Sequence, residues 1–145
     1  TFKAICSDID GTLLNSERSL SPKLISIVSS ISAEIPFFLV SARMPAAMRH
    51  ILQDLNRPNE PLIAYNGIGI GAEGKELESI PIPIHLVEEI VLQANELRLH
   101  LSLLYGEQWH TLNEDYFALR EIENTKVVPS WTDPLLVIER WKADN

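Results

Sequence analysis

Asp8 and Asp10 stand two residues apart at the end of a short apolar run, Phe2-Lys3-Ala4-Ile5-Cys6, and Gly11-Thr12 follows at once. The run reads as a buried strand, because it carries Ile and an aromatic residue and no turn former. In extended backbone, side chains at i and i+2 point the same way, so the two carboxylates converge just past the strand. Gly11 lets the chain turn and lets a ligand approach the backbone. The N–H groups of Gly11 and Thr12 are then free to face an anion, as in turn-built phosphate nests.

Other readings of an Asp-x-Asp pair compete. A strand end capped by acidic turn residues is the plain structural one. A helix-loop-helix calcium site needs Gly at the sixth position of its loop and Glu at the twelfth. Counted from Asp8, Gly11 is fourth and the twelfth residue is Ser19, so that site is excluded. An aspartic protease carries Asp-Thr-Gly, whereas the order here is Asp-Gly-Thr.

The rest of the chain supplies the elements that must hold these residues. Ser21-Pro22 is a helix start, and Leu24, Ile27, Val28 and Ile31 recur at helical spacing, predicting a helix over Pro22–Ala33. Pro36 to Val40 is a continuous apolar strand, the pattern of a parallel sheet covered on both faces. Met44-Pro45 opens a second helix, expected over Pro45–Leu55, and Leu62 to Tyr65 is a third strand. Such β-α-β-α-β alternation implies right-handed crossovers, a parallel sheet and a ligand site beyond the carboxyl ends of the strands. Asp8, Ser41 and Asn66 each fall just past a strand end.

After Asn66 the pattern changes. Residues 68–80 read as a β-hairpin around Ala72-Glu73-Gly74, and Pro81-Ile82-Pro83 as a linker. A helix near Leu86–Leu97 follows, with Leu86, Ile90, Val91, Ala94 and Leu97 inward, then an antiparallel pair over Leu101–Leu112. A weak helix is expected over Asp115–Glu123 and a short one around Leu135–Trp141. The expected domains are therefore 1–80 and 81–145.

At 145 residues and 46% hydrophobic content, the chain can bury a core. Its net charge of −8 argues against nucleic acid or an anionic membrane as partner. That charge leaves room for a phosphorylated ligand, because a bound divalent cation reverses the local field. The single cysteine, Cys6, is expected to be a buried structural thiol. With no run of about twenty apolar residues and Thr1 directly before the first strand, neither a membrane span nor a signal peptide is expected, which favours the cytoplasm.

Asp8-Ile9-Asp10-Gly11-Thr12-Leu13-Leu14 resembles the first motif of the haloacid dehalogenase-like hydrolases, most of which are magnesium-dependent phosphatases. Val40-Ser41-Ala42-Arg43 resembles the second, often Ala-Thr-Gly-Arg, with Ala42 in place of the usual Gly. Pro61 to Ile68, ending in Asn66-Gly67, resembles a signature of the Cof-like sugar-phosphate phosphatases. The resemblance implies the first half of a Rossmann-like doubly wound parallel sheet, followed by an incomplete α/β cap domain.

It also implies roles. Asp8 would be the nucleophile that forms an aspartyl-phosphate. Asp10 would be the general acid and base, with a pKa raised by the neighbouring carboxylate. Both would hold Mg²⁺. Gly11, Thr12, Ser41, Arg43 and Asn66 would bind phosphate or substrate, a small phosphorylated metabolite. The family's later Lys and its Gly-Asp-x-x-Asn-Asp loop have no counterpart here, since Lys126 and Lys142 stand in other contexts. A phosphomutase on the same scaffold, or a fragment that binds without turnover, shares the first motif. Phe2–Cys6 would leave one sheet edge open, to be covered by a second copy or by the remaining half of such an enzyme.

Overall fold

Strands and helices alternate through the first part of the chain: β1 (Ile5–Ser7), α1 (Pro22–Ser30), β2 (Phe37–Val40), α2 (Ala46–Asp54) and β3 (Leu62–Ala64). The computed structural model describes residues 2–72 and 75–143, in two compact units that divide between Ile80 and Pro81. In the first unit β1, β2 and β3 are parallel, with Ser7 opposite Leu39 and Val40 opposite Ile63. A hairpin of β4 (Gly69–Ala72) and β5 (Lys75–Ser79) joins β3 antiparallel. The result is a five-stranded mixed sheet in the order β1-β2-β3-β4-β5. The class is α/β, and the hairpin extends the sheet. Its expected turn at Glu73-Gly74 lies outside the described residues, as do Thr1, Asp144 and Asn145.

The helices start where the sequence places them. Ser21 Oγ accepts from Leu24 N–H at 3.2 Å, and Pro22 occupies the first turn. α2 turns Ala47, Met48, Ile51 and Leu52 into a core completed by Ile9, Leu13, Val28, Phe37, Leu39, Leu55, Leu62 and Ala64. Three expectations shift. β1 starts later than the apolar run, with Phe2 85% exposed and Cys6 exposed, so the thiol is not buried. Among the described residues β1 pairs with β2 alone, and Cys6 points to the opposite face from Ile5, which packs against the core. β2 alternates between buried Phe37 and Leu39 and half-buried Phe38 and Val40, so one face is covered more fully than the other. Ile27 is 52% exposed, because Val28 and Leu24 take the inward positions.

A buried guanidinium fastens the amino end of this sheet. Arg57 donates to the carbonyls of Ile31 at 2.6 Å, Ser32 at 3.2 Å and Ile35 at 3.1 Å, and pairs with Glu60. Glu60 Oε2 in turn accepts from the Phe37 N–H at 3.0 Å, at the first residue of β2. One ion pair thus satisfies the carbonyls that follow α1 and registers β2 beside them.

The second unit contains α3 (Ile84–Glu96), β6 (Ser102–Tyr105), β7 (Gln108–Thr111), α4 (Tyr116–Thr125), β8 (Ser130–Trp131) and α5 (Pro134–Ala143). β6 and β7 are antiparallel, and β8, unforeseen in the sequence, lies parallel to β7. The core is Val91, Leu103, Val137 and Ile138, with Ile84, Val87, Leu101, Leu135 and Trp141 against it. α3 turns Val87, Val91 and Ala94 inward, while Leu86, Ile90 and Leu97 are exposed. The helix carries apolar residues around much of its circumference, so periodicity alone did not single out the buried stripe. No helix among the described residues is long and apolar enough to cross a membrane.

Two outcomes follow for stability. Arg57→Ala should cost about 3 kcal/mol in urea denaturation, because it leaves the half-buried Glu60 carboxylate without its partner and unbinds three carbonyls. A loss under about 1 kcal/mol would mean that the pair behaves as a solvated surface bridge. In the second unit, His110 Nε2 meets Gln108 Oε1 at 3.1 Å while its Nδ1 is buried without a partner. Burial, aided by Arg140, lowers the His110 pKa below its ordinary 6.5. The unfolded chain then binds the extra proton first, so stability is complete above that value and falls with pH below it. Denaturation midpoints measured between about pH 7 and pH 5 should show this fall, and His110→Gln should flatten it.

Candidate active site

Ile9 is fully buried, while Asp8 and Asp10 on either side of it are exposed. The side-chain alternation of extended backbone therefore continues past β1: the isoleucine enters the core and both carboxylates face out. The Ile9 carbonyl then accepts from the N–H groups of Thr12 at 3.3 Å, Leu13 at 3.0 Å and Leu14 at 3.0 Å. This wraps the chain tightly enough to return Leu13 to the core. Gly11 has φ +74°, and a Cβ there would meet nothing within 4 Å. Its need for glycine is thus conformational and not steric.

The Thr12 N–H bonds inward to Ile9, so it is not free for an anion as expected; the Gly11 N–H has no acceptor among the described residues. The Asp8 carboxylate likewise has no hydrogen-bond or ion-pair partner among them, although the Asp8 carbonyl accepts from Ser7 Oγ at 2.9 Å.

Asp10 is held firmly. Arg43 Nε donates to its Oδ2 at 2.8 Å and Arg43 Nη2 to its Oδ1 at 2.7 Å, a bidentate fork. Arg18 Nη1 stands 3.5 Å from Oδ1, a weaker contact from the solvent side. The Arg43 hydrogen bonds, and then the charges of Arg43 and Arg18, outweigh desolvation and hold the Asp10 carboxyl below its ordinary 3.8. The sequence suggested a raised value from the second carboxylate; the neighbouring guanidinium reverses the sign. Arg43 itself is buried, where its sequence role was a substrate contact.

The loops after β2 and β3 are tied to each other. Ser41 is buried; its N–H donates to the Ile63 carbonyl at 2.9 Å, and its Oγ accepts from the Arg43 N–H at 3.3 Å. The Asn66 N–H donates to the Ser41 carbonyl at 3.0 Å, and the Tyr65 N–H to the Arg43 carbonyl at 3.1 Å. Tyr65 at φ 53°, Asn66 at φ 58° and Gly67 at φ 95° form a left-handed run. For Tyr65 that conformation is costly and persists because the surrounding bonds impose it. Ala42, at the position usually Gly, is exposed and lies outside the left-handed region, so its methyl is tolerated.

Strand register places Asp8 one residue past Ser7, Ser41 one past Val40, and Asn66 two past Ala64, all at the carboxyl ends of neighbouring strands. Asp10, Ser41, Arg43 and Asn66 are thereby joined in one hydrogen-bonded rim, with Asp8 beside it. Thr12 lies in the same loop with an exposed side chain. Lys126, by contrast, is the left-handed cap of α4, and Lys142 pairs with Glu88 at 2.6 Å.

The family model that describes haloacid dehalogenase-like hydrolases matches residues 5–140. A protein of Haemophilus influenzae whose name proposes a phosphatase is 32% identical over 131 residues, 88% of this chain and 46% of that protein. Among solved structures, a haloacid dehalogenase-like hydrolase from Bacteroides thetaiotaomicron superposes with a TM-score of 0.85 at 21% identity, over 94% of this chain and 54% of that one. A sugar phosphatase of subclass IIB superposes with a TM-score of 0.68 at 17% identity, over 88% and 51% of the two chains. These superpositions show the fold. The chain spans about half the length of the proteins it matches.

The Arg43 fork makes a direct expectation. In a carbon-detected NMR titration without metal, Asp10 should titrate below its ordinary 3.8 and move up in Arg43→Ala. The stability carried by this bond is present above that ordinary value and is lost as pH falls through the lower folded one.

Proposed function

This chain belongs to the haloacid dehalogenase-like hydrolases, and from that premise we propose that it carries the nucleophile half of a Mg²⁺-dependent phosphatase of small phosphorylated metabolites such as sugar phosphates. The observation that supports this most is the contrast between the two carboxylates. Asp8 is exposed and unpartnered among the described residues, as a nucleophile must be, while Asp10 beside it is ionised and aimed by Arg43.

In the first step an Asp8 carboxylate oxygen bonds to phosphorus and the bond from phosphorus to the leaving oxygen breaks. Asp10, ionised in the free chain, takes up a solvent proton as the phosphorylated substrate binds and passes it to the leaving oxygen. The Arg43 fork opposes a proton on Asp10, and the negative charge of a phosphoryl group beside Asp8 offsets part of that opposition. In the second step water attacks phosphorus, its proton passes to Asp10, and the Asp8–phosphorus bond breaks. The ionised Asp10 is already suited to this half. Ser41, with its hydroxyl at the rim ahead of α2, and the open Gly11 N–H would hold phosphoryl oxygens. Thr12 and Asn66 would face the substrate from the two flanking loops.

No group of three or more His, Cys, Asp or Glu among the described residues could hold a metal. Asp8 is nevertheless a hard oxygen ligand with nothing bound to it, and the Asp10 main-chain carbonyl accepts no backbone hydrogen bond. Both suit Mg²⁺, which keeps several waters and binds through few protein oxygens. The Asp10 carboxylate is occupied by Arg43, so its part in such a site would be the carbonyl. When bound, Mg²⁺ would supply charge neutralisation at the phosphoryl oxygens. The second unit, cap-like by resemblance, is proposed as the part that selects the metabolite.

With Mg²⁺ and an aryl phosphate, Asp8→Asn in the full-length protein should abolish turnover, because an amide does not attack phosphorus. Asp10→Asn should slow it by about 10² to 10⁴, the usual worth of general acid–base catalysis. Wild-type turnover by the Asp8 variant would refute the assignment.

A further inference from the structure

We infer that Arg43 is a positioning residue that orients the Asp10 carboxylate, and not a ligand of the substrate's phosphoryl group. The inference rests on the roles proposed above for Asp8 and Asp10. The Arg43 side chain is 7% exposed and that of Asp10 48%, so the arginine is the fixed partner and the carboxylate the one being held. Two parallel bonds, at 2.8 and 2.7 Å, set the plane of the carboxylate as well as its distance. An ionised carboxylate offers about four lone-pair sites. The fork uses one on each oxygen and Arg18 approaches Oδ1, so Oδ2 keeps a site where a proton can still arrive or leave.

The geometry leaves little of Arg43 for a phosphoryl group. The edge that normally grips a phosphate, Nε with one Nη, faces Asp10. The remaining nitrogen, Nη1, lies 3.5 Å from the Ala47 carbonyl in α2. The backbone of Arg43 is anchored too, by its N–H to Ser41 Oγ and its carbonyl to the Tyr65 N–H. Arg18 cannot take over this role. It is half exposed and reaches only one Asp10 oxygen, at 3.5 Å, so it adds charge without fixing a plane. A lysine at position 43 would keep the charge and lose the fork.

A double-mutant cycle in the full-length protein, with Mg²⁺ and an aryl phosphate, separates positioning from substrate binding. Arg43→Ala should lower kcat by about 10²-fold, the usual effect of displacing a reacting group by an ångström. KM should stay within about threefold, since no ground-state contact is lost. In the Asp10→Asn background the same change should alter kcat less than about threefold, because Arg43 acts through the group already removed. Arg43→Lys, which keeps the charge if the alanine variant does not fold, should recover only part of kcat and show the same loss of effect beside Asp10→Asn. Calorimetric affinity for inorganic phosphate should change less than about threefold in all Arg43 variants. A tenfold or larger rise in KM, or loss of inorganic phosphate affinity, that persists in the Asp10→Asn background would overturn the inference. Wild-type turnover by Asp8→Asn or Asp10→Asn would instead refute the underlying reading, whatever Arg43 does.

Discussion

One buried side chain decides which way the site faces. Ile9 sits at 0% exposure between two carboxylates that remain in water. A slip of one residue in this loop would put a carboxylate into an apolar core and an isoleucine into solvent. The penalty for burying an unpaired charge is far larger than the gain from burying one isoleucine, so the register has a single solution. The Ile9 carbonyl reinforces it by gathering three consecutive N–H groups of the turn.

The Arg43–Asp10 fork then builds outward from that fixed loop. It connects residues 33 positions apart in sequence and spans the first two strand ends. The third strand end joins through backbone bonds, at the cost of a left-handed tyrosine. Side-chain chemistry and main-chain geometry divide the assembly of the rim between them. A substitution at Arg43 that leaves its backbone in place removes only the first kind of connection.

The legible parts of the chain were the local ones. Alternating short apolar runs and helical repeats gave the α/β class, the Ser21-Pro22 helix start and the placement of Asp8, Ser41 and Asn66 past strand ends. The Asp-x-Asp-Gly-Thr string, weighed with its strand context, indicated the family whose model matches residues 5–140. What could not be read was pairing across distance. Nothing near Arg43 marks it as the partner of Asp10, and its effect on the carboxyl pKa is opposite to what the neighbouring carboxylate implied. Arg57 and Glu60 lie in what reads as a plain turn, although they lock two other elements. β8 is two residues long and flanked by prolines, too short for any periodicity. The exposure of Cys6 depends on which face of its strand is covered, which composition cannot reveal.

The two buried arginines stand at opposite ends of the same strand. Arg57 with Glu60 grips the Phe37 N–H where β2 begins, and Arg43 lies just beyond Val40 where β2 ends. Four steps of extended backbone separate Phe37 from Ser41, about 13 Å at strand rise. Mutational effects separated by more than about 7–10 Å with no shared partner usually add. Fold maintenance and the proposed phosphoryl chemistry therefore fall in separable places. A rim substitution that costs stability while altering what the site accepts can be offset at the other end of β2 without disturbing the new specificity. In an evolving lineage, that separation lets the loops at the carboxyl ends be searched widely while the amino end keeps the sheet intact.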